Sequence, residues 1–335
     1  MLQSSTAKKV RYSENSFKVK LWQGIIFKVA QDWGGFGPVF ALHRTKALSW
    51  LYFCDACGNL AALTKSGVLL MIVEFHGVRG SIPMPSSSTI KYGGHTSCYE
   101  VVTDKYQFIF DAGTGFQSVK LMEDRTVVII FTHFHHDHIQ GLPFNFNLFT
   151  HKGEIILCSS LVNKGVLKNM IQTYFSGGYF PVDIVTMLTH LKFYNFSTVR
   201  NMMQPDVDIQ TIELSHPGGS MGYKIQTDDG VFVYLQDNEY VPEQLESLCE
   251  FSNGADLLVW DGMFTEAELG AKKGWGHSSI EQGLKFYEDA GLLKMAICHH
   301  APQRSDDQLD EIGAELNNPN IFFGYEGFKH TIQKS

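Results

Sequence analysis

The stretch Thr132 to Gly141, THFHHDHIQG, places four imidazoles and one carboxylate within ten residues, directly after the apolar run TVVIIF. Neutral imidazole nitrogens and carboxylate oxygens are the donors that zinc and similar divalent ions take. A loop leaving the C-terminal edge of a buried strand is where layered α/β proteins commonly carry chemistry. His133 and His135, two residues apart, can point at one ion, and Asp137 and His138 can serve a second. The alternative, a His-rich surface tract that binds metal loosely, does not account for the apolar strand before the cluster or the Gly-Leu-Pro turn after it.

Four loop residues cannot close two metal sites, so further ligands must come from elsewhere. His216 follows IQTIELS, Asp237 ends GVFVYLQD and His299 follows KMAIC, each where a strand-like run gives way to a loop. Taken singly, each reads as a capped strand or an ordinary turn residue. Taken with the cluster, they complete a set: His133, His135 and His216 on one ion, Asp137, His138 and His299 on the other, and Asp237 bridging. His300, adjacent to His299, is the alternative last ligand.

These residues need a frame. From Met71 onward, strand-like runs recur (MIVEFHG, CYEVVT, YQFIF, TVVIIF, GEIILCSS, IQTIELS, MGYKIQT, GVFVYLQD, ADLLVWDG, KMAIC), with helical patterns at SLVNKGVLKNMIQTYF, VPEQLESLCEF, HSSIEQGLKFYEDAG and SDDQLDEIGAEL. Such mixing predicts a layered α/β architecture with helices covering the sheet faces. Residues 1–70 read as a separate extension of unknown fold. They carry nine Lys and Arg against three Asp and Glu, net +6, whereas residues 71–335 carry 18 against 32, net −14, for a total of −8. Apolar spacing at Leu21, Trp22, Ile25, Ile26 and Val29 predicts a helix in that extension, ended by GGFGP at 34–38. Cys54 and Cys57 in CDACG have half the spacing of a zinc site, but no second pair follows, so ordinary thiols are the better reading.

Composition excludes several classes. Charged residues make up 19% and aromatics 13% of the 335 residues, which argues for a folded chain rather than a disordered one. A net charge of −8 speaks against non-specific nucleic-acid binding by the molecule as a whole. Six scattered cysteines suggest free thiols in a reducing compartment. No run reaches the roughly 18 apolar residues of a spanning helix, and the charged N-terminus lacks the apolar core of a signal peptide, so the expectation is a cytoplasmic protein with no membrane partner.

In order along the chain, THFHHDH, SHPGG, YLQD, GHSS and CHHAP resemble the metallo-β-lactamase superfamily over roughly residues 71–330. The resemblance implies a four-layer αββα sandwich with a dinuclear site between the sheets. FHGVRGSIPMP, KYGGHTSC, DAGTG and DHIQGLPF are similar to the branch containing ribonuclease Z and the phosphoribosyl cyclic phosphodiesterases. It implies two divalent ions, zinc ahead of manganese, and a metal-dependent phosphodiesterase acting by metal-hydroxide attack on a cyclic nucleotide-like or other small phosphodiester. Asp137 would orient the hydroxide. His277 in GWGHSS resembles the proton-donating histidine of ribonuclease Z, and Asp261 in LLVWDG stands in the place of its carboxylate partner. An N-cap neighbour is the plain alternative for His277, since Ser278 and Ser279 are good caps.

Asp111 in FDAGTG is read as the hydrogen-bond partner of a ligand histidine. Arg79 and Arg304 could meet a substrate phosphate, although structural arginines at loops are commoner. Nothing resembling the basic arm with which ribonuclease Z grips transfer RNA is recognisable, so nucleic acid stays open as a partner behind a small phosphodiester. Similar enzymes often dimerise, which leaves a homodimer open too. Two rival functions use the same frame: a thioester or lactam hydrolase, and a non-catalytic metal-binding regulatory module. A di-iron redox reading calls for Glu where His135 stands.

Overall fold

In the strand Thr126–Ile130, Val128 and Ile130 point to one side and Val127 and Ile129 to the other, and all four are buried. A strand buried on both faces requires a layer on each side, and this alternation organises the molecule. The computed structural model describes residues 70–333, together with the backbone of five strands between residues 17 and 64. The chain divides into two units, Met1–Val68 and Leu69–Ser335.

The second unit contains two sheets. The first runs, in spatial order, Leu191–Phe193, Ile155–Cys158, Thr126–Ile130, Tyr106–Phe110, Cys98–Val102, Met71–Gly77 and Lys329–Ile332. The second runs Asp208–Leu214, Ser220–Gln226, Val231–Leu235, Leu257–Asp261, Met295–Cys298 and Ile321–Phe323. Both are mixed: Tyr106–Phe110 through Leu191–Phe193 are parallel in the first, and Val231–Leu235 through Ile321–Phe323 are parallel in the second.

Between the sheets lies one continuous core. Phe75, Tyr99, Phe110, Val128 and Ile130 of the first sheet meet Tyr223, Ile225, Phe232, Tyr234 and Val259 of the second. Fully burying such side chains is worth on the order of 1.5–3 kcal/mol each. Outside the first sheet, Val127, Ile129 and Leu157 pack on Leu167 and Ile171 of the helix Lys164–Tyr174. Outside the second, Val233, Trp260 and Ile297 pack on Leu248, Ile280, Phe286 and Leu309 from the helices Leu245–Ser252, Ile280–Asp289 and Asp306–Gly313. The layers are therefore helix, sheet, sheet, helix, the predicted four-layer αββα sandwich. Local capping fixes where the helices begin. Ser279 and Ser305 each close a capping box with a glutamine three residues on, and Asn163 accepts from Gly165 N and Val166 N.

Three short strands, Leu191–Phe193, Ile321–Phe323 and Lys329–Ile332, and the helix Phe196–Met203 were not expected from the sequence. The first three lie at sheet edges, where three or four residues are too few to show a period. No helix among the described residues is long and apolar enough to cross a membrane.

The N-terminal unit corrects one expectation. Instead of a helix over residues 21–33, Phe17–Trp22 and Ile25–Ala30 form an antiparallel pair that begins a five-stranded meander continuing through Val39–Arg44, Ser49–Cys54 and Leu60–Thr64. In FKVKLW the apolar residues Phe17, Val19 and Leu21 alternate with Lys18 and Lys20, a period of two that the helical spacing overlapped. Cys57 and the side chain of Cys54 lie outside the described residues. Cys98, Cys158, Cys249 and Cys298 are free thiols, as expected.

Candidate active site

All the predicted ligand residues come to one end of the sandwich, at the C-terminal ends of strands or in the loops that follow them. The strand Thr126–Ile130 leads into His133 and His135, then into the short helix His136–Ile139, which carries Asp137 and His138. From the second sheet come His216, Asp237 and His299. Two groups of donor atoms result, each lying within 4.8 Å: His133, His135, His216 and Asp237 in one, and Asp137, His138, Asp237 and His299 in the other.

Asp237 belongs to both groups. Its Oδ2 is 3.6 Å from Nε2 of His133 and 3.6 Å from Nε2 of His216. Its Oδ1 is 3.2 Å from Nε2 of His138 and 3.3 Å from Nδ1 of His299. In the second group, Asp137 Oδ2 is 3.4 Å from His138 Nε2 and accepts a 2.7 Å hydrogen bond from the Ser81 backbone N–H. His299 is the neighbour that enters the site. His300 turns away, donating from Nε2 to Gly324 O at 2.8 Å and packing between Tyr92 and Phe323.

The opposite ring nitrogens are held in place. His138 donates from Nδ1 to Asp111 Oδ2 at 2.8 Å, and Asp111 also accepts from Thr132 N and Tyr234 Oη. His216 donates from Nδ1 to Gly276 O at 2.7 Å. These contacts set which nitrogen of each ring faces the centre. Gly276 has φ +86°, and a Cβ there would stand 2.2 Å from His216 Nδ1, so only glycine allows this approach. Asp111, Asp237 and His299 all adopt the left-handed backbone, with φ of 61°, 58° and 59°. Three non-glycine residues in that region at the rim of one site are a local strain that the surrounding packing sustains.

The residues present fit divalent cations. Burial holds His133, His135 and His299 below the usual imidazole range, which favours the neutral form that ligates. Burial alone would raise the Asp137 and Asp237 carboxyls, but the facing imidazoles, His138 foremost, hold both below the ordinary range. His138 is the exception. Burial pushes it down, but Asp237, Asp137 and Asp111 together push it well above its ordinary value. The pocket thus demands positive charge. His133 Nε2, His138 Nε2, His299 Nε2 and Asp237 Oδ1 are buried with no hydrogen-bond partner, the condition of atoms shaped to coordinate.

Beside this centre, His277 donates from Nδ1 to Asp261 Oδ2 at 2.8 Å, and its ring stacks on His299 with centroids 4.9 Å apart. Burial pushes the His277 pKa down, but the Asp261 charge and hydrogen bond outweigh it and raise it to about 9. Asp261 is oriented in turn by the backbone N–H groups of Met263 and Asn238. The capping alternative for His277 is also realised one step on, where Ser279 accepts from Gln282 N.

Arg79 and Arg304 do not face the site. Arg79 is fully buried and donates to the carbonyls of Gly93, Ala301 and Arg304, and Arg304 pairs with Glu268. Sequence reasoning missed Ser81, whose backbone N–H meets Asp137, and Tyr234, whose hydroxyl meets Asp111. An isolated serine and a strand tyrosine carry no spacing signal.

A model of the beta-lactamase superfamily domain matches residues 106–300, more than half of the chain and a span that contains every residue of the two donor groups. The chain belongs to that superfamily and is a hydrolase of the metallo-β-lactamase fold. Ribonuclease Z of Haloarcula marismortui is 22% identical over 323 residues, covering 79% of this chain and 98% of the relative. The metallo-beta-lactamase fold protein YhfI from Bacillus subtilis superposes with a TM-score of 0.58 at 20% identity, covering 78% of this chain and 99% of YhfI. A diphosphatase from the PhnP family superposes at 0.56 with 16% identity, covering 79% and 100%.

Proposed function

We propose that the chain is a dinuclear metal-dependent phosphodiesterase, with His133, His135, His216 and Asp237 holding one ion and Asp137, His138, Asp237 and His299 the other. Asp237 carries the reading, because its two carboxylate oxygens face separate groups of ligating atoms at 3.2–3.6 Å. Zinc suits this imidazole-rich set, with manganese second. A bound divalent pair lowers the pKa of water to produce a nucleophile at neutral pH and neutralises the charge of a phosphodiester.

The chain's own groups supply the rest. Asp137, fixed by the Ser81 N–H, is placed to accept a hydrogen bond from the attacking water and aim it at phosphorus. His277, held protonated and oriented by Asp261, delivers a proton to the departing oxygen. Its ring stacks on His299, so the proton reaches the centre from the second-sheet side. The names of the relatives, a ribonuclease and a diphosphatase, support phosphorus rather than carbon as the centre attacked.

The test is an assay of chelated protein reloaded with Zn²⁺ or Mn²⁺ against bis(p-nitrophenyl) phosphate, with a thioester in parallel and Asp137→Ala as control. Metal-dependent diester cleavage lost in the variant is expected. Turnover of the thioester alone makes the chain a thioester hydrolase; silence of both substrates with two metals bound makes it a binding module.

A further inference from the structure

Trp275 is 56% exposed, yet the backbone on both sides of it is pinned. The Glu239 carboxylate accepts from Gly274 N at 2.8 and 2.9 Å and from Gly276 N at 2.9 Å, while Gly276 O holds the His216 ring at 2.7 Å. The indole therefore stands one residue from the group that orients His216 and two from His277. Phe264 links them from below, with its ring 6.5 Å from that of Trp275 and 6.0 Å from that of His277. The Lys272 ammonium lies 4.0 Å from the Trp275 ring centroid, and Lys273 is exposed beside it.

A scattered exposed aromatic is ordinary. An aromatic face clamped at the rim of a catalytic centre, with two consecutive lysines in a segment, 71–335, that is otherwise strongly acidic, is a different arrangement. The one ligand chemistry that answers both features is a planar base joined to a negatively charged phosphate. We infer that Trp275 and Lys272 form the platform that takes a nucleotide, Trp275 stacking on its base and Lys272 meeting its phosphate charge. The inference rests on the phosphodiesterase reading and narrows its substrate class to nucleotide diesters. Because the platform adjoins His277, the stacked base belongs to the leaving-group side of the scissile bond.

Equilibrium binding to the metal-loaded full chain tests this without turnover. The probes are adenosine 5′-monophosphate, ribose 5-phosphate and a single-stranded RNA tetranucleotide, titrated calorimetrically against wild type, Trp275→Ala, Trp275→Phe and Lys272→Gln. Wild type is expected to prefer the adenosine ligand over the sugar phosphate. Trp275→Ala should erase that preference, a loss of roughly tenfold, while leaving ribose 5-phosphate unchanged, and Trp275→Phe should keep most of it. Lys272→Gln should weaken both phosphates. A Trp275→Ala loss confined to the mononucleotide assigns the platform to a free nucleotide, and one shared by the tetranucleotide assigns it to an RNA end; both support the inference. It is overturned if the base confers no preference, or if Trp275→Ala weakens both phosphates equally or neither. An inert diester in the assay above with the base preference intact would remove the catalytic reading alone.

Discussion

Oδ2 of Asp111 accepts the Nδ1 proton of His138 across 2.8 Å, and both side chains are sealed from solvent. The bond fixes which nitrogen of His138 faces Asp237 and adds negative charge behind the imidazole, raising its basicity as a ligand. Asp111→Asn keeps an acceptor of the same shape and removes the charge. Metal affinity should fall about 10–100-fold, read by competition with a chromogenic chelator. An unchanged affinity in a variant that folds would mean that Asp111 only braces Thr132 and Tyr234.

Asp237 is shared by both groups of donor atoms, whereas His135 belongs to one and lies at the exposed edge. Elemental analysis after dialysis should therefore find Asp237→Ala deficient in both ions and His135→Ala deficient in one. Equal stoichiometry in the two variants would contradict a bridging carboxylate.

His277 is needed in proportion to how poor the leaving group is. On bis(p-nitrophenyl) phosphate, whose p-nitrophenolate departs without help, His277→Ala and Asp261→Asn should change kcat little. On a dinucleotide with an alkoxide leaving group, kcat should drop by about 10²–10⁴-fold for His277→Ala and by less for Asp261→Asn. A uniform loss on both substrates would assign the pair to structure rather than proton transfer.

Gly276→Ala places a methyl 2.2 Å from His216 Nδ1 at φ +86°. The strained backbone should cost about 1–3 kcal/mol in chemical denaturation, and displacement of the His216 ring should empty the first group of its ion while sparing the second. Gly274→Ala, also at positive φ but with nothing nearby, is the control: it should show the strain without the metal loss.

The sequence was informative about the site wherever chemistry and backbone geometry coincide at a strand end. His133, His135, His216, Asp237 and His299 stand in the segments that follow apolar runs, with Asp137 and His138 on the short helix just beyond, and those runs became strands of the two sheets. The choice between His299 and His300 was not legible, because adjacent residues have identical spacing arguments. It is decided by the left-handed turn at His299 and by the Gly324 carbonyl that occupies His300. Arg79 carried a charge that suggested phosphate, but its guanidinium is spent on three carbonyls that only the folded chain brings together. The helix expected over 21–33 failed because a short apolar run satisfies both periods, and pairing with the neighbouring strands of a meander, rather than the spacing itself, settled it.

The two sheets meet through a largely apolar core in which the Tyr223 and Tyr234 hydroxyls reach across to Phe131 O and Asp111, and the candidate site draws His133, His135, Asp137 and His138 from the side of one sheet and His216, Asp237 and His299 from the other. Ions seated there would act as rivets across the seam, since prying the sheets apart would have to break coordination bonds before any apolar surface is wetted. Loading would then govern how long the molecule survives as much as what it cleaves: amide protons of Phe108 and Val233, on facing sheets, should exchange far more slowly in the loaded protein than in the chelated one.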